Sequence, residues 1–110
     1  LIDGNSFSGT SNVSAVLQDI KRATFFGEET GGCIYGANGG DYINLTLPNT
    51  QVKVTIPIRS GVNNISARSN LNRGVIPDYE ITNSISDILN GKDSEMEFVI
   101  NYIKKNKVDE

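Results

Sequence analysis

The chain has 110 residues and a mass of 11.9 kDa, the size of one domain, and its 37% hydrophobic and 21% charged content is that of a folded globular protein rather than a disordered one. Ten basic against 13 acidic residues give a net charge of -3, which argues against nucleic acid or an anionic membrane surface as partner, and no apolar run approaches the ~20 residues of a membrane span. One cysteine, Cys33, and no histidine exclude an internal disulfide, a multi-cysteine metal site and a Ser-His pair completed within these residues.

Leu1 and Ile2 read as the middle of a strand, so the chain is expected to be a piece of a longer protein, a single and incomplete domain over 1–110. A turn rich in Gly, Ser, Thr and Asn follows, and then a helix over roughly Ser11 to Arg22 with Thr10 or Ser11 as its N-cap. Val13, Val16, Leu17 and Ile20 recur at helical spacing and predict its buried face. Ala23 to Phe26 reads as a short buried strand ended by Gly27. From Gly27 to Gly40 the sequence carries six glycines, the density of a functional loop, without the Walker lysine or GxGxxG spacing of a phosphate cradle.

Ile43, Leu45 and Leu47 alternate, as do Val52, Val54, Ile56 and Ile58, and Pro48-Asn49-Thr50 between them predicts a β-hairpin. Pro57 lacks a ladder donor and belongs on an edge or near a strand end. Residues 59–73 are polar and Asn/Ser-rich and read as an exposed loop. Gly74 to Asp78 is a brief extended piece leading to Tyr79 and Ile81. Two helices close the chain: Ser84 to Leu89, stopped by Asn90-Gly91, and one capped by Asp93 or Ser94 with Met96, Val99, Ile100 and Ile103 on its apolar side.

The chemistry-bearing cluster is the set of hydroxyls and amides before the first helix: Ser6, Ser8, Thr10, Ser11 and Asn12. A serine at a strand-to-helix turn can be exposed, and the next residue's N–H can donate to a developing oxyanion, although the literal GxSxG motif is absent. The competing reading is that these side chains cap a helix and fill a turn. Glu28 and Glu29 are adjacent carboxylates whose side chains point apart, a poor acid/base pair. Cys33 has no histidine to activate it and reads as a small packing residue. Lys21 and Lys53 are candidate bases for a Ser-Lys pair, or simply a helix-end charge and an outward strand residue.

The order of features resembles the tail-specific, or C-terminal processing, serine peptidase family, tricorn-like members included. The residues that carry it are the strand and Ser-rich turn, Gln18-Asp19, Arg22-Ala23, Gly27-Glu28-Glu29-Thr30-Gly31-Gly32 and, later, Gly74-Val75-Ile76-Pro77-Asp78 in place of Gly-Val-x-Pro-Asp. The resemblance implies an α/β fold of the crotonase- and ClpP-like kind and hydrolysis of peptide or protein substrates without a cofactor. It places Ser8 on the nucleophile, the Gly9 backbone N–H on one oxyanion donor, and Asp19 in a supporting role. The processing branch has a basic lysine where Cys33 stands, 25 residues after Ser8. The tricorn-like branch uses an upstream histidine and a glutamate near the Gly-Val-x-Pro-Asp region, where this chain offers only Asn70-Leu71-Asn72-Arg73.

The expectation is therefore a serine endopeptidase whose general base and second oxyanion donor come from sequence upstream of Leu1, with the 110 residues inactive alone. By family analogy it is exported or associated with the cell envelope. The alternative is an inactive homologue that binds peptides or apolar ligands, as the retinoid-binding relatives of this family do.

Overall fold

The structure, a computed structural model, describes residues 1–66 and 72–106. In chain order these form α1 (Gly9–Asp19), β1 (Phe26–Gly27), β2 (Gly36–Asn38), β3 (Tyr42–Thr46), β4 (Lys53–Pro57), β5 (Ser60–Val62), β6 (Tyr79–Glu80), α2 (Ile85–Leu89) and α3 (Ser94–Asn106). Helices mix with short parallel and antiparallel pairings, an α/β arrangement. No helix of the described residues is long and apolar enough to cross a membrane.

The centre is a narrow parallel sheet. Ile2 bridges Gly27 and β1 pairs with β6, so the segments run Ile2, β1, β6 side by side. Parallel neighbours need a crossover, and α1 supplies the first. Gly27 permits the approach: its φ is +112°, and a Cβ there would stand 2.2 Å from the Ile2 carbonyl oxygen.

Successive strand residues face opposite sides, and Phe25 and Phe26 use both. Phe25 joins Ile2, Ala15 and Val75 in a core against α1. Phe26 stacks on Tyr79, with centroids 5.0 Å apart, and meets Tyr102 edge-on at the same distance; Phe98 completes this second cluster. Helix α1 thus covers one face of the sheet and α3 the other.

The stripes that the sequence predicts are only partly buried: of the α1 stripe Leu17 alone packs against the core, half-buried. In α1 the buried residues are Ser11, Ser14 and Ala15, while Val13 and Ile20 are each 60% exposed and Val16 is also exposed. Small side chains let α1 lie close to the sheet, and Val13, Val16 and Ile20 face outward with nothing covering them among the described residues. Helix α3 buries no residue fully: Phe98, itself 41% exposed, and the half-buried Tyr102 meet Phe26, Val99 of the predicted stripe is half-buried, and Met96, Ile100 and Ile103 are exposed. Periodicity locates an apolar stripe, and which stripe faces inward depends on what the neighbours present.

The predicted hairpin is present and longer than expected. Ile43 lies opposite Ile56 and Leu45 opposite Val54, with Leu47 N–H donating to Val52 O at the turn end. Pro57 is the last residue of β4, paired with Tyr42. Beyond it the ribbon continues as β2 against β5, so the expected loops include strands at Gly36–Asn38 and Ser60–Val62. Between the two ladders Gly39, Gly40 and Asp41 oppose only Ile58 and Arg59, a one-residue bulge that shifts the face alternation of the first strand. Every residue of β3 and β4 is exposed, including the aliphatic face. Residues 67–71 of the predicted loop, which include Asn70 and Leu71, lie outside the described set; Ile65 just before them is buried.

The accessible surface of 8269 Å² exceeds the roughly 5,900 Å² that a compact monomer of this mass exposes. The uncovered stripes of α1, α3 and the ribbon are part of that excess.

Candidate active site

The Ser-rich turn is built from its own side chains. Asp3 accepts hydrogen bonds from Asn5 N–H at 3.0 Å and from the Ser6 hydroxyl at 2.9 Å, and its carbonyl accepts from Ser6 N–H at 2.9 Å. The Ser6 hydroxyl above all, with Asn5, holds the Asp3 carboxyl below its usual range. Ser6, a flanking hydroxyl, is therefore committed to closing the turn.

Helix α1 begins at Gly9, two residues earlier than the sequence suggests, so its N-cap position is Ser8 rather than Thr10 or Ser11. Ser8 does not behave as a cap. Its backbone has φ 49° and ψ −117°, outside the regions open to L-residues, where an ordinary N-cap is extended. Its side chain makes no capping hydrogen bond, and the residue is exposed. A non-glycine residue so placed costs about 1–3 kcal/mol and persists only where its surroundings over-determine it. Ser11, fully buried, contributes by donating its hydroxyl to Ser8 O at 2.9 Å.

Gly9, next along, is the first residue of α1, where N–H groups have no intrahelical partner and the helix dipole is positive. An exposed hydroxyl followed by an outward helix-start amide is the local geometry that acyl transfer requires of a nucleophile and an oxyanion donor.

The glycine loop buttresses this turn. Gly32 N–H donates to Ser6 O at 3.0 Å. A Cβ on Gly31 would lie 2.2 Å from Gly4 O, and one on Gly32 2.2 Å from Ser11 Oγ, so only glycine fits at either position. The six-glycine density seen in sequence therefore serves, at these two positions, close approach to the Ser8 turn.

The other residues of the pattern reach across the chain to backbone groups. Gln18 Nε2 donates to Ile76 O at 2.7 Å, and Asp78 Oδ2 accepts from Phe25 N–H at 2.7 Å. Asp19 accepts from Ser66 N–H at 2.9 Å and from the Ser66 hydroxyl at 3.2 Å. Thr30 Oγ1 accepts from Val75 N–H at 2.7 Å. Glu29 binds Arg73 through both carboxylate oxygens and accepts from Gly74 N–H at 2.7 Å. The Arg73 hydrogen bonds, then the Gly74 amide, pull the Glu29 carboxyl from 4.5 down to about 2. Glu29 is thus an anchor, and the adjacent pair Glu28 and Glu29 forms no acid/base couple. Sequence reasoning missed Thr30 and Arg73; their positions inside or beside the two glycine-containing motifs were the available signal.

The remaining candidates lie elsewhere. Lys21 lies past the far end of α1, whose 11 residues put about 16 Å of helix between that end and Ser8. Lys53 sits on the polar side of the ribbon, opposite Thr46. Cys33 is half-buried, outside any disulfide, in an antiparallel bridge with Gly74. A cavity of about 420 Å³ lies along α1, lined by Ala15, Ile34 and Ile65 with Gln18, Asp19, Lys21 and Ser66; Ser8 is not part of it.

No family model matches the chain, and no curated protein matches it.

Proposed function

We propose that this chain carries the nucleophile of a serine endopeptidase, with Ser8 forming the acyl-enzyme. The observation that carries the reading is the Ser8 backbone at φ 49° and ψ −117°, with its hydroxyl engaged in no cap at the start of α1. Ser8 Oγ attacks the scissile carbonyl carbon, a base accepts its proton, and the Gly9 N–H donates to the oxyanion that forms. The adduct collapses as the scissile C–N bond breaks and the protonated base gives its proton to the leaving amine. Water, deprotonated by the same base, then hydrolyses the acyl-enzyme and returns Ser8 to its hydroxyl form. With no histidine and Cys33 in place of a lysine, the base and the second oxyanion donor come from upstream sequence of the same protein. The uncovered apolar stripes of α1 and α3 support completion by further protein surface. Asp19 has a supporting part, holding the end of α1 to Ser66. The α/β arrangement, a parallel sheet with a helix on each face, fits a fragment of a crotonase- and ClpP-like core.

Ser8→Ala in the full-length protein tests this: peptide cleavage is expected to fall by roughly 10⁴-fold or more. Cleavage that persists undiminished removes Ser8 from the chemistry.

The second reading is a binding module for peptides or apolar ligands, favoured by the cavity walled by Ala15, Ile34 and Ile65. Its volume, about 420 Å³, lies within the range of small-molecule sites. Under that reading a fluorescent apolar probe binds the full-length protein, and Ile65→Asp abolishes binding.

A further inference from the structure

Thr30 is buried, with 4% of its surface exposed, and its one hydroxyl serves two backbone groups. It accepts from Val75 N–H at 2.7 Å and donates to Gly32 O at 2.8 Å. The Thr30 N–H donates to Val75 O at 3.1 Å, so the residue is clamped to the 74–78 segment from both sides. Gly74 presses against it from the same segment: a Cβ there would lie 2.0 Å from Thr30 O. From Gly32 the connection continues, because Gly32 N–H donates to Ser6 O at 3.0 Å, two residues before Ser8.

A short run of hydrogen bonds therefore leads from Val75 through the Thr30 hydroxyl and Gly32 to the turn that presents Ser8. Each link is rigid for a stated reason. Val75 is fully buried in the core, Thr30 has both hydroxyl functions used, and Gly32 has no room to move toward Ser11. A strained residue keeps its conformation only while such neighbours prevent its relaxation.

We propose that Thr30 is a positioning residue for Ser8. Its hydroxyl sets how closely the Gly31-Gly32 backbone lies under the Ser-rich turn, and so holds Ser8 in the conformation that exposes its Oγ beside the Gly9 amide. This rests on the reading of Ser8 as nucleophile. Thr30 does not touch a substrate; it acts through Gly32 and Ser6. A side chain of the same shape without the hydroxyl leaves the buried Val75 N–H unpaired and takes away the donor that holds the half-buried Gly32 O, and the glycine loop then settles at a different height.

The test uses the full-length protein and a fluorophosphonate probe, with variants Thr30→Val, Thr30→Ser and Ser8→Ala. Labelling is followed at several probe concentrations, well below each variant's thermal midpoint, to separate the maximal rate kinact from the half-saturating concentration KI. Thr30→Val is expected to lower kinact by about 10- to 100-fold, the scale of a misplaced reacting group, with KI within about threefold. Thr30→Ser, which keeps the hydroxyl, restores most of the rate. A role in stability alone moves the thermal midpoint and leaves kinact of the folded protein unchanged.

A folded Thr30→Val protein labelled within twofold of the parent overturns the proposal, as does a Thr30→Ser protein as slow as Thr30→Val. If Thr30→Val does not fold, Thr30→Cys, with its weak hydrogen-bonding thiol, is read the same way: slowed labelling supports the proposal, and the parental rate overturns it. Loss of labelling in Ser8→Ala shows that the nucleophile reading stands whatever Thr30 does. Labelling that survives Ser8→Ala overturns that reading, and the positioning proposal with it.

Discussion

Two serines precede helices in this chain, and they do opposite things. Ser84 stands before α2 in an extended conformation, with φ −72° and ψ 159°. Its hydroxyl accepts from Asp87 N–H at 3.1 Å, and the Asp87 carboxylate accepts from Ser84 N–H at 3.0 Å, a complete capping box within four residues. Ser8 stands before α1 with φ 49° and ψ −117° and caps nothing. The ordinary explanation of a serine at a helix entrance accounts fully for Ser84 and fails for Ser8. At Ser8 the strain is held by residues distant in sequence, Gly31, Gly32 and Thr30, whereas Ser84 needs only its own turn.

This contrast is open to attack by mutation, and the largest effect is expected in activity. Ser8→Ala should remove roughly 10⁴-fold or more of peptide cleavage in the full-length protein, while Ser84→Ala leaves cleavage unchanged. Comparable losses from the two variants would erase the distinction.

The next effect is in stability, and its sign differs between the sites. Ser84→Ala should destabilise α2 by about 1 kcal/mol in denaturant unfolding, the usual cost of a lost N-cap. Ser8→Gly should stabilise by about 1 kcal/mol, because glycine adopts the observed φ and ψ without a Cβ penalty. The same substitution abolishes activity, so stability and function move in opposite directions at this position. A Ser8→Gly protein less stable than its parent would show that the hydroxyl was holding the fold.

A smaller effect is expected from pH. Glu29, paired with Arg73 and the Gly74 amide, has its carboxyl pulled from 4.5 down to about 2 in the folded chain. A carboxyl with a depressed folded pKa binds protons more readily when unfolded, so it stabilises the fold above about pH 4.5. That contribution is lost as pH falls toward about 2. Measured stability of Glu29→Gln should decline less steeply than the parent across this window. Identical slopes would mean that the exposed Arg73 pair contributes nothing, as many surface ion pairs do.

How far the sequence discloses this molecule depends on whether the cause is local. The capping box at Ser84, the cap of α3 by Asp93, whose carboxylate accepts from Met96 N–H at 2.8 Å, and the hairpin around Pro48 are all set by neighbours a few residues away. They read directly from residue type and spacing. The start of α1 does not, because Gly9 and Thr10 are indifferent helix formers drawn into the helix by the turn before them. Nor does its inward face: Ser11, Ser14 and Ala15 are buried because the sheet and glycine loop approach closely, while Val13, Val16 and Ile20 of the more hydrophobic stripe stay outside. The bulge at Gly39 to Asp41 depends on a count across two strands that no single stretch contains.

The candidate site divides in the same way. Ser8 and Gly9 were reachable from motif order. The strain at Ser8 was not, since it is a property of backbone angles. The two roles of Thr30 needed the 74–78 segment brought against the loop, a contact across 45 residues of sequence.

The most direct measurement is the site of covalent modification. Full-length protein is treated with a fluorophosphonate probe, digested, and the labelled peptide sequenced by mass spectrometry. The account predicts one modified residue, Ser8, and no adduct after Ser8→Ala. An adduct on another residue, undiminished by Ser8→Ala, or an active peptidase that leaves Ser8 unmodified would contradict it.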